Sequence, residues 1–149
     1  MFSQRIRKVM QGERMLVAPS GTTVCQAAQL MAEGGTGAVL VVDEGQLVGI
    51  FTERDAVFRV IARGLDTAAT RLAQVMTASP HTISPELSFG QALQLMHRHR
   101  IRHLPVVEDG KPVGIVSGRD ALDPEMEEFV VEAQRREAFE ASGAASPRS

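Results

Sequence analysis

The chain has 149 residues, 44% hydrophobic and 23% charged, with a formal net charge of -2. That length supports one compact unit or two small fused ones around a buried core, and the near-neutral balance excludes an overall pull toward nucleic acid or an anionic membrane, so any site for a charged ligand is local. Cys25 is the single cysteine, which excludes an intramolecular disulfide.

In chain order, residues 1–8 read as an N-terminal extension, and Met1-Phe2-Ser3-Gln4-Arg5-Ile6-Arg7-Lys8 lacks the apolar region of a signal peptide. No later run approaches the roughly 20 apolar residues of a membrane span, so no membrane partner and a cytoplasmic location are expected. Residues 9–65 form a first unit. Val9-Met10 leads into a short first strand at Leu16-Val17, and Thr23-x-x-Gln26 is a capping box opening a helix with its apolar stripe at Val24, Ala27, Ala28 and Met31. Apolar runs at Ala38 to Val42 and Leu47 to Phe51, separated by Asp43-Glu44-Gly45-Gln46, predict a β-hairpin. Thr52 then caps a helix that stops at Gly64.

Residues 66–74 connect to a second unit, residues 75–122, with the same order: Val75-Met76, a first strand at Thr82-Ile83, and a capping box at Ser88-x-x-Gln91. A helix with stripe Phe89, Ala92, Leu93 and Met96 follows, then runs at Leu104 to Val107 and Pro112 to Val116 around Glu108-Asp109-Gly110-Lys111, and Ser117 as the last cap. Asp123-Pro124 breaks the symmetry and starts a C-terminal amphipathic helix over 123–141 with stripe Met126, Phe129, Val130 and Ala133, followed by a tail at 142–149.

The two units are a repeat. Moving Gln26–Ala56 forward by 65 positions lays it on Gln91–Ala121 with fourteen of thirty-one residues identical, including Val-Gly-Ile and Arg-Asp-Ala. The predicted fold is α+β in α/β-type layers: tandem strand-helix-strand-strand-helix repeats packed sheet to sheet with pseudo-twofold symmetry, because one unit alone buries too little surface.

At Gly49-Ile50-Phe51-Thr52-Glu53-Arg54-Asp55 and Gly114-Ile115-Val116-Ser117-Gly118-Arg119-Asp120 the sequence resembles the nucleotide motif of the cystathionine-β-synthase (CBS) domain family: glycine, two apolar residues, Ser/Thr, two residues, Asp. Arg102-His103-Leu104-Pro105-Val106-Val107 is similar to the family's second strand. The resemblance spans Val9 to Leu122. It implies a stand-alone paired module, commonly a homodimer, that performs no chemistry, binds AMP, ADP, ATP, NAD(H) or S-adenosylmethionine between its copies, and passes occupancy to a protein target. By the same resemblance Asp55 and Asp120 meet ribose hydroxyls, Thr52 and Ser117 meet phosphate, and backbone at Leu16-Val17 and Thr82-Ile83 reads adenine. Each cleft would draw its first strand from one copy and its Asp motif from the other.

The residue chemistry agrees: a carboxylate accepts two hydrogen bonds from a vicinal diol. Thr52 and Ser117 would serve as caps without any ligand, but retention of Gly, Arg and Asp in both copies favours a binding role. Arg102-His103 replaces Gly37-Ala38, and Gly118 replaces Glu53, so the cleft using Ser117 and Asp120 is expected to be the polyphosphate site. Arg54 and Arg119 are second-rank phosphate contacts, since such residues are more often surface ion-pair partners.

His97, His99 and His103 do not share a helical face and are expected to hold no metal. With no Tyr or Trp to stack bases, RNA binding is not expected of the basic run there. Two other functions compete: an enzyme using His103 with Asp120, against which stands the lack of any nucleophile elbow, P-loop or zinc spacing, and a ligand-free scaffold dimerising through the repeats and the C-terminal helix.

Overall fold

The computed structural model describes residues 2–10, 15–122 and 135–139. The sequence-predicted C-terminal helix therefore lies outside the described residues except for 135–139, which are helical and exposed. Among the described residues no helix is long and apolar enough to cross a membrane.

Helix and hairpin follow in the predicted order in both copies, but the strand predicted at Thr82-Ile83 is reduced to an isolated parallel bridge between Ile83 and Val106, because only Ile83 pairs there. In the first, β1 (Val17–Ala18) leads to α2 (Val24–Gly34), and β2 (Ala38–Asp43) pairs antiparallel with β3 (Gln46–Thr52). In the second, α5 (Phe89–His99) precedes the antiparallel pair β5 (His103–Glu108) and β6 (Lys111–Ser117). The capping boxes form at Thr23 with Gln26 and at Ser88 with Gln91, hydroxyl to backbone and amide to backbone. Each hairpin turns on two residues at positive φ, Glu44 and Gly45 (52° and 77°) and Asp109 and Gly110 (52° and 77°). This is the primed turn whose twist matches the flanking strands.

The last elements depart from plain α-helices. In the first copy one turn, α3 (Glu53–Asp55), continues as a π-helix over Ala56–Ile61, where the Ala62 N–H reaches the Val57 carbonyl at 2.9 Å. In the second copy a 3-10 turn spans Gly118–Leu122. Gly118 is a poor helix former.

Each copy's entry helix packs into the other copy. Before the first copy, α1 (Ile6–Val9) docks on the second, with Ile6 N–H donating to the Leu87 carbonyl (2.8 Å) and Arg7 N–H to that of Pro85 (2.9 Å). Before the second copy, α4 (Leu72–Val75) docks on the first, with Leu72 N–H donating to Thr22 (2.9 Å) and Ala73 N–H to Ser20 (3.0 Å). Ile6 is fully buried with Phe89, Leu104 and Val116, while Leu72 and Val75 are buried with Val39, Phe51 and Val60. The exchange completes both cores, each helix supplying an aliphatic anchor worth about 1.5–3 kcal/mol of burial. Strand β4 (Thr77–Ala78) extends the exchange, pairing antiparallel with β3 in a sheet of order β1-β2-β3-β4. Between the copies Ala38, Leu40 and Ile50 of the first pack against Ile115 of the second, so the two sheets meet at symmetry-related isoleucines 65 positions apart.

Candidate nucleotide site

The two Asp motifs lie where β3 and β6 end, and the sheet register sets their neighbours. Thr52 stands opposite Ala38 across the first hairpin, and Ser117 opposite His103 across the second. Directly paired residues in an antiparallel ladder hold their Cβ atoms about 5 Å apart, so the second motif carries an imidazole beside its hydroxyl and the first a methyl.

In the first copy Asp55 is buried. Its Oδ2 accepts from Thr52 N–H (2.9 Å) and from the Thr52 hydroxyl (3.1 Å); its Oδ1 accepts from the Thr77 hydroxyl (3.4 Å) and lies 3.5 Å from Arg59 Nε. Arg59 also donates to the carbonyls of Met76 (3.0 Å) and Val75 (3.4 Å). In the second copy Asp120 is half-buried and accepts one hydrogen bond, from Ser117 N–H at 2.8 Å on Oδ2. Its Oδ1 and the Ser117 hydroxyl make no other bond among the described residues.

The copies differ again beside the motif, although the same backbone bond occurs in each: Glu53 N–H donates to the Gly37 carbonyl at 3.0 Å, and Gly118 N–H to the Arg102 carbonyl at 2.8 Å. Side-chain bulk is exchanged across that bond. The Glu53 carboxylate occupies the space a Cβ on Gly37 would need, whereas a Cβ on Gly118 would stand 4.0 Å from the Arg102 carbonyl. Glu53 thus sets an anion against Gly37, at the position where the second copy has the exposed Arg102, and the same carboxylate acts on His103.

Several of these groups meet across the copies. Arg119 Nη1 donates to the Gly35 carbonyl of the first copy at 3.0 Å. A Cβ on the adjoining Gly34 would lie 3.2 Å from the Leu16 side chain, which brings Leu16 to the same turn. Burial lowers the His103 imidazole pKa, Glu53 and Asp120 raise it, and Arg119 and Arg102 lower it, with a net fall below the ordinary value. Arg54 instead folds onto its own helix, its guanidinium carbon 4.5 Å from the centre of the Phe58 ring.

The first-strand residues are placed unequally. Leu16 is half-buried and Val17 is 46% exposed. Thr82 is exposed, but Ile83 is buried in the second core, and its N–H and carbonyl are both spent, on Pro105 (3.0 Å) and Val107 (3.0 Å). The Leu16 carbonyl likewise accepts from Leu40 N–H at 2.8 Å. His99 stacks on His81 with ring centres 3.7 Å apart, away from His103, and no group of three His, Cys, Asp or Glu converges on a metal position among the described residues. Thr77 and Arg59 are the neighbours of Asp55 that motif reading misses. The repeat alignment signals the second, since Pro124 stands where the first copy has Arg59.

The CBS domain family model matches residues 6–62 and 72–125. The CBS domain-containing protein YhcV of Bacillus subtilis is 37% identical over 112 residues, 75% of this chain and 79% of that protein. Two other relatives are longer, the chain spanning 13% of one and 59% of the other. A putative signal-transduction protein with CBS domains from Burkholderia ambifaria superposes with a TM-score of 0.75 at 35% identity, over 80% of this chain and 91% of that one. The CBS domain protein PAE2072 from Pyrobaculum aerophilum, complexed with AMP, gives 0.75 at 24% identity over 87% and 99% and is alike in fold. With two family matches laid over the two halves of its internal repeat, this chain belongs to the CBS-domain family as a tandem pair.

Proposed function

We propose that the chain is a non-catalytic regulatory module that binds an adenine nucleotide between its two copies and signals occupancy to a protein target. The observation that carries this reading is the unsatisfied acceptor capacity of Asp120 beside an open Ser117 hydroxyl, with His103 across the ladder. Asp120 can accept both hydroxyls of a ribose diol. Ser117, His103 and Arg102 can receive phosphate, with Arg119 within reach of the same turn, and the half-buried Leu16 and exposed Val17 offer an apolar edge to adenine. AMP is the ligand of PAE2072, and AMP, ADP, ATP and NAD(H) share the ribose and phosphate chemistry this cleft fits. S-adenosylmethionine shares the adenosine but has no phosphate, and the cationic side chains here disfavour its sulfonium.

A nucleotide in this cleft would touch both copies and fix their relative angle, and a partner that prefers that angle binds more tightly by the same coupling. The test is thermal unfolding with each ligand at millimolar concentration. At about 100 times its dissociation constant a ligand stabilises by roughly 2.7 kcal/mol, and Asp120→Ala abolishes the shift. Turnover of the ligand in the same samples would mark an enzyme instead.

One observation favours the scaffold reading: Val57, Phe58 and Ile61, 49%, 56% and 67% exposed, cluster on the first copy's last helix. A dimer that persists with no nucleotide-dependent shift would select it.

A further inference from the structure

The two Asp motifs have the same sequence pattern but opposite hydrogen-bonding states, and this carries an inference beyond nucleotide binding as such. It rests on the nucleotide reading above. An ionised carboxylate offers about four lone-pair positions. Those of Asp55 are engaged by Thr52 N–H, the Thr52 hydroxyl, the Thr77 hydroxyl and the Arg59 guanidinium, and the side chain is 9% exposed. A ribose diol would have to displace two of those donors from a side chain that is itself nearly enclosed. The Thr52 hydroxyl is also spent, donating to Asp55 Oδ2 and accepting from Asp55 N–H at 3.3 Å, so a phosphate finds no donor there.

We infer that the Thr52–Asp55 motif is a structural latch and not a second nucleotide site, that Arg59 and Thr77 are the residues that close it, and that each chain takes one nucleotide, at Ser117–Asp120. The latch has a definite object. Arg59 and Asp55 together hold the Val75 and Met76 carbonyls and the Thr77 hydroxyl, the stretch that joins α4 to β4 and carries the chain from the first copy into the second. The motif that binds ligand in one copy ties the two copies together in the other. At the position 65 residues on, Pro124 replaces Arg59, so the second motif lacks that closing residue.

Isothermal titration of the full chain with ATP and with AMP tests this, supported by Asp55→Asn and Asp120→Asn. One nucleotide per chain is expected in the parent. Asp120→Asn is expected to weaken binding by about 30-fold, the loss of a charged acceptor for two hydroxyls, while Asp55→Asn lowers the melting temperature and leaves one nucleotide bound with affinity changed by less than that. Two nucleotides per parent chain would overturn the inference, as would an Asp55→Asn loss equal to that of Asp120→Asn. The parent stoichiometry decides even if Asp55→Asn does not fold. Absence of binding heat in the parent would instead overturn the nucleotide reading, and the single-site assignment with it.

Discussion

Met76 presses its sulfur against Gly49 so closely that a Cβ on the glycine would stand 2.5 Å from Sδ, and Met10 stands in the same relation to Gly114, also at 2.5 Å. The motif glycines are therefore docking points for the exchanged entry segments. Each lets a methionine from the other copy's entry segment reach the strand that delivers the Asp motif.

Alanine at either glycine should loosen that docking unequally. At Gly49 the added carbon would also meet the Thr77 carbonyl at 3.1 Å, a backbone atom that cannot swing aside, whereas at Gly114 the three nearest atoms among the described residues belong to the flexible Met10 side chain. Overpacking costs about 1–3 kcal/mol, so Gly49→Ala should sit at the upper end and Gly114→Ala at the lower. Urea unfolding of each, with Met10→Ala added to Gly114→Ala, checks this: the double variant should recover part of the Gly114→Ala loss, and strict additivity would show that the methionine is not the cause.

Ile6 lies outside the sequence-predicted boundary of either repeat, yet it is fully buried in the second copy's core. Ile6→Ala should cost about 2–5 kcal/mol, as much as Leu104→Ala in the same cluster. A midpoint within experimental error of the parent would mean that α1 does not hold its place in solution.

The repeat, the capping boxes and both hairpins were legible because each depends on residues close in sequence: Thr23 with Gln26, Ser88 with Gln91, glycine at the second turn position. The exchange of entry helices was not, because Ile6 and Leu72 are ordinary aliphatic residues whose choice of core depends on contacts about 80 and 50 positions away, Ile6 with Leu87 and Leu72 with Thr22. Within the site, the difference between Arg102-His103 and Gly37-Ala38 could be read by eye, and the register places His103 opposite Ser117. That Asp55 would be enclosed could not, since Thr77 arrives from across the connection and Arg59 from a widened helical turn. Backbone groups of Ile83 were likewise assigned to adenine because a pattern cannot tell a strand end from one whose bonds are all made.

Arg59 should behave as a tie between the copies. Arg59→Ala removes its hydrogen bonds to the Val75 and Met76 carbonyls and the positive neighbour of buried Asp55. Leaving a buried carboxylate less well paired costs about 1–3 kcal/mol. Because the guanidinium is partly exposed, with 42% of the side chain accessible, the lower half of that range is expected. Thermal unfolding at pH 7 measures it, and hydrogen exchange at Thr77 and Ala78 should rise in the variant before that of β2.

His103 sets the pH dependence. In the ligand-free chain its pKa lies below the ordinary value near 6.5, so as pH falls through 6.5 the unfolded chain takes up a proton that the folded chain resists. Its contribution to stability is therefore intact above about pH 6.5 and declines as pH drops toward the folded value. A phosphate beside the imidazole reverses the balance, because an opposite charge raises the pKa of the bound form and binding then takes up a proton. ATP affinity should accordingly strengthen between pH 8 and pH 6, by at most about tenfold per unit for a single coupled proton. Protonation of the phosphate itself works the other way. The informative quantity is thus the parent minus His103→Gln at constant ionic strength, which cancels the ligand's own titration. Calorimetry in buffers of different ionisation enthalpy should find proton uptake in the parent and less in the variant. Equal uptake in both would show that the nucleotide phosphate does not approach His103.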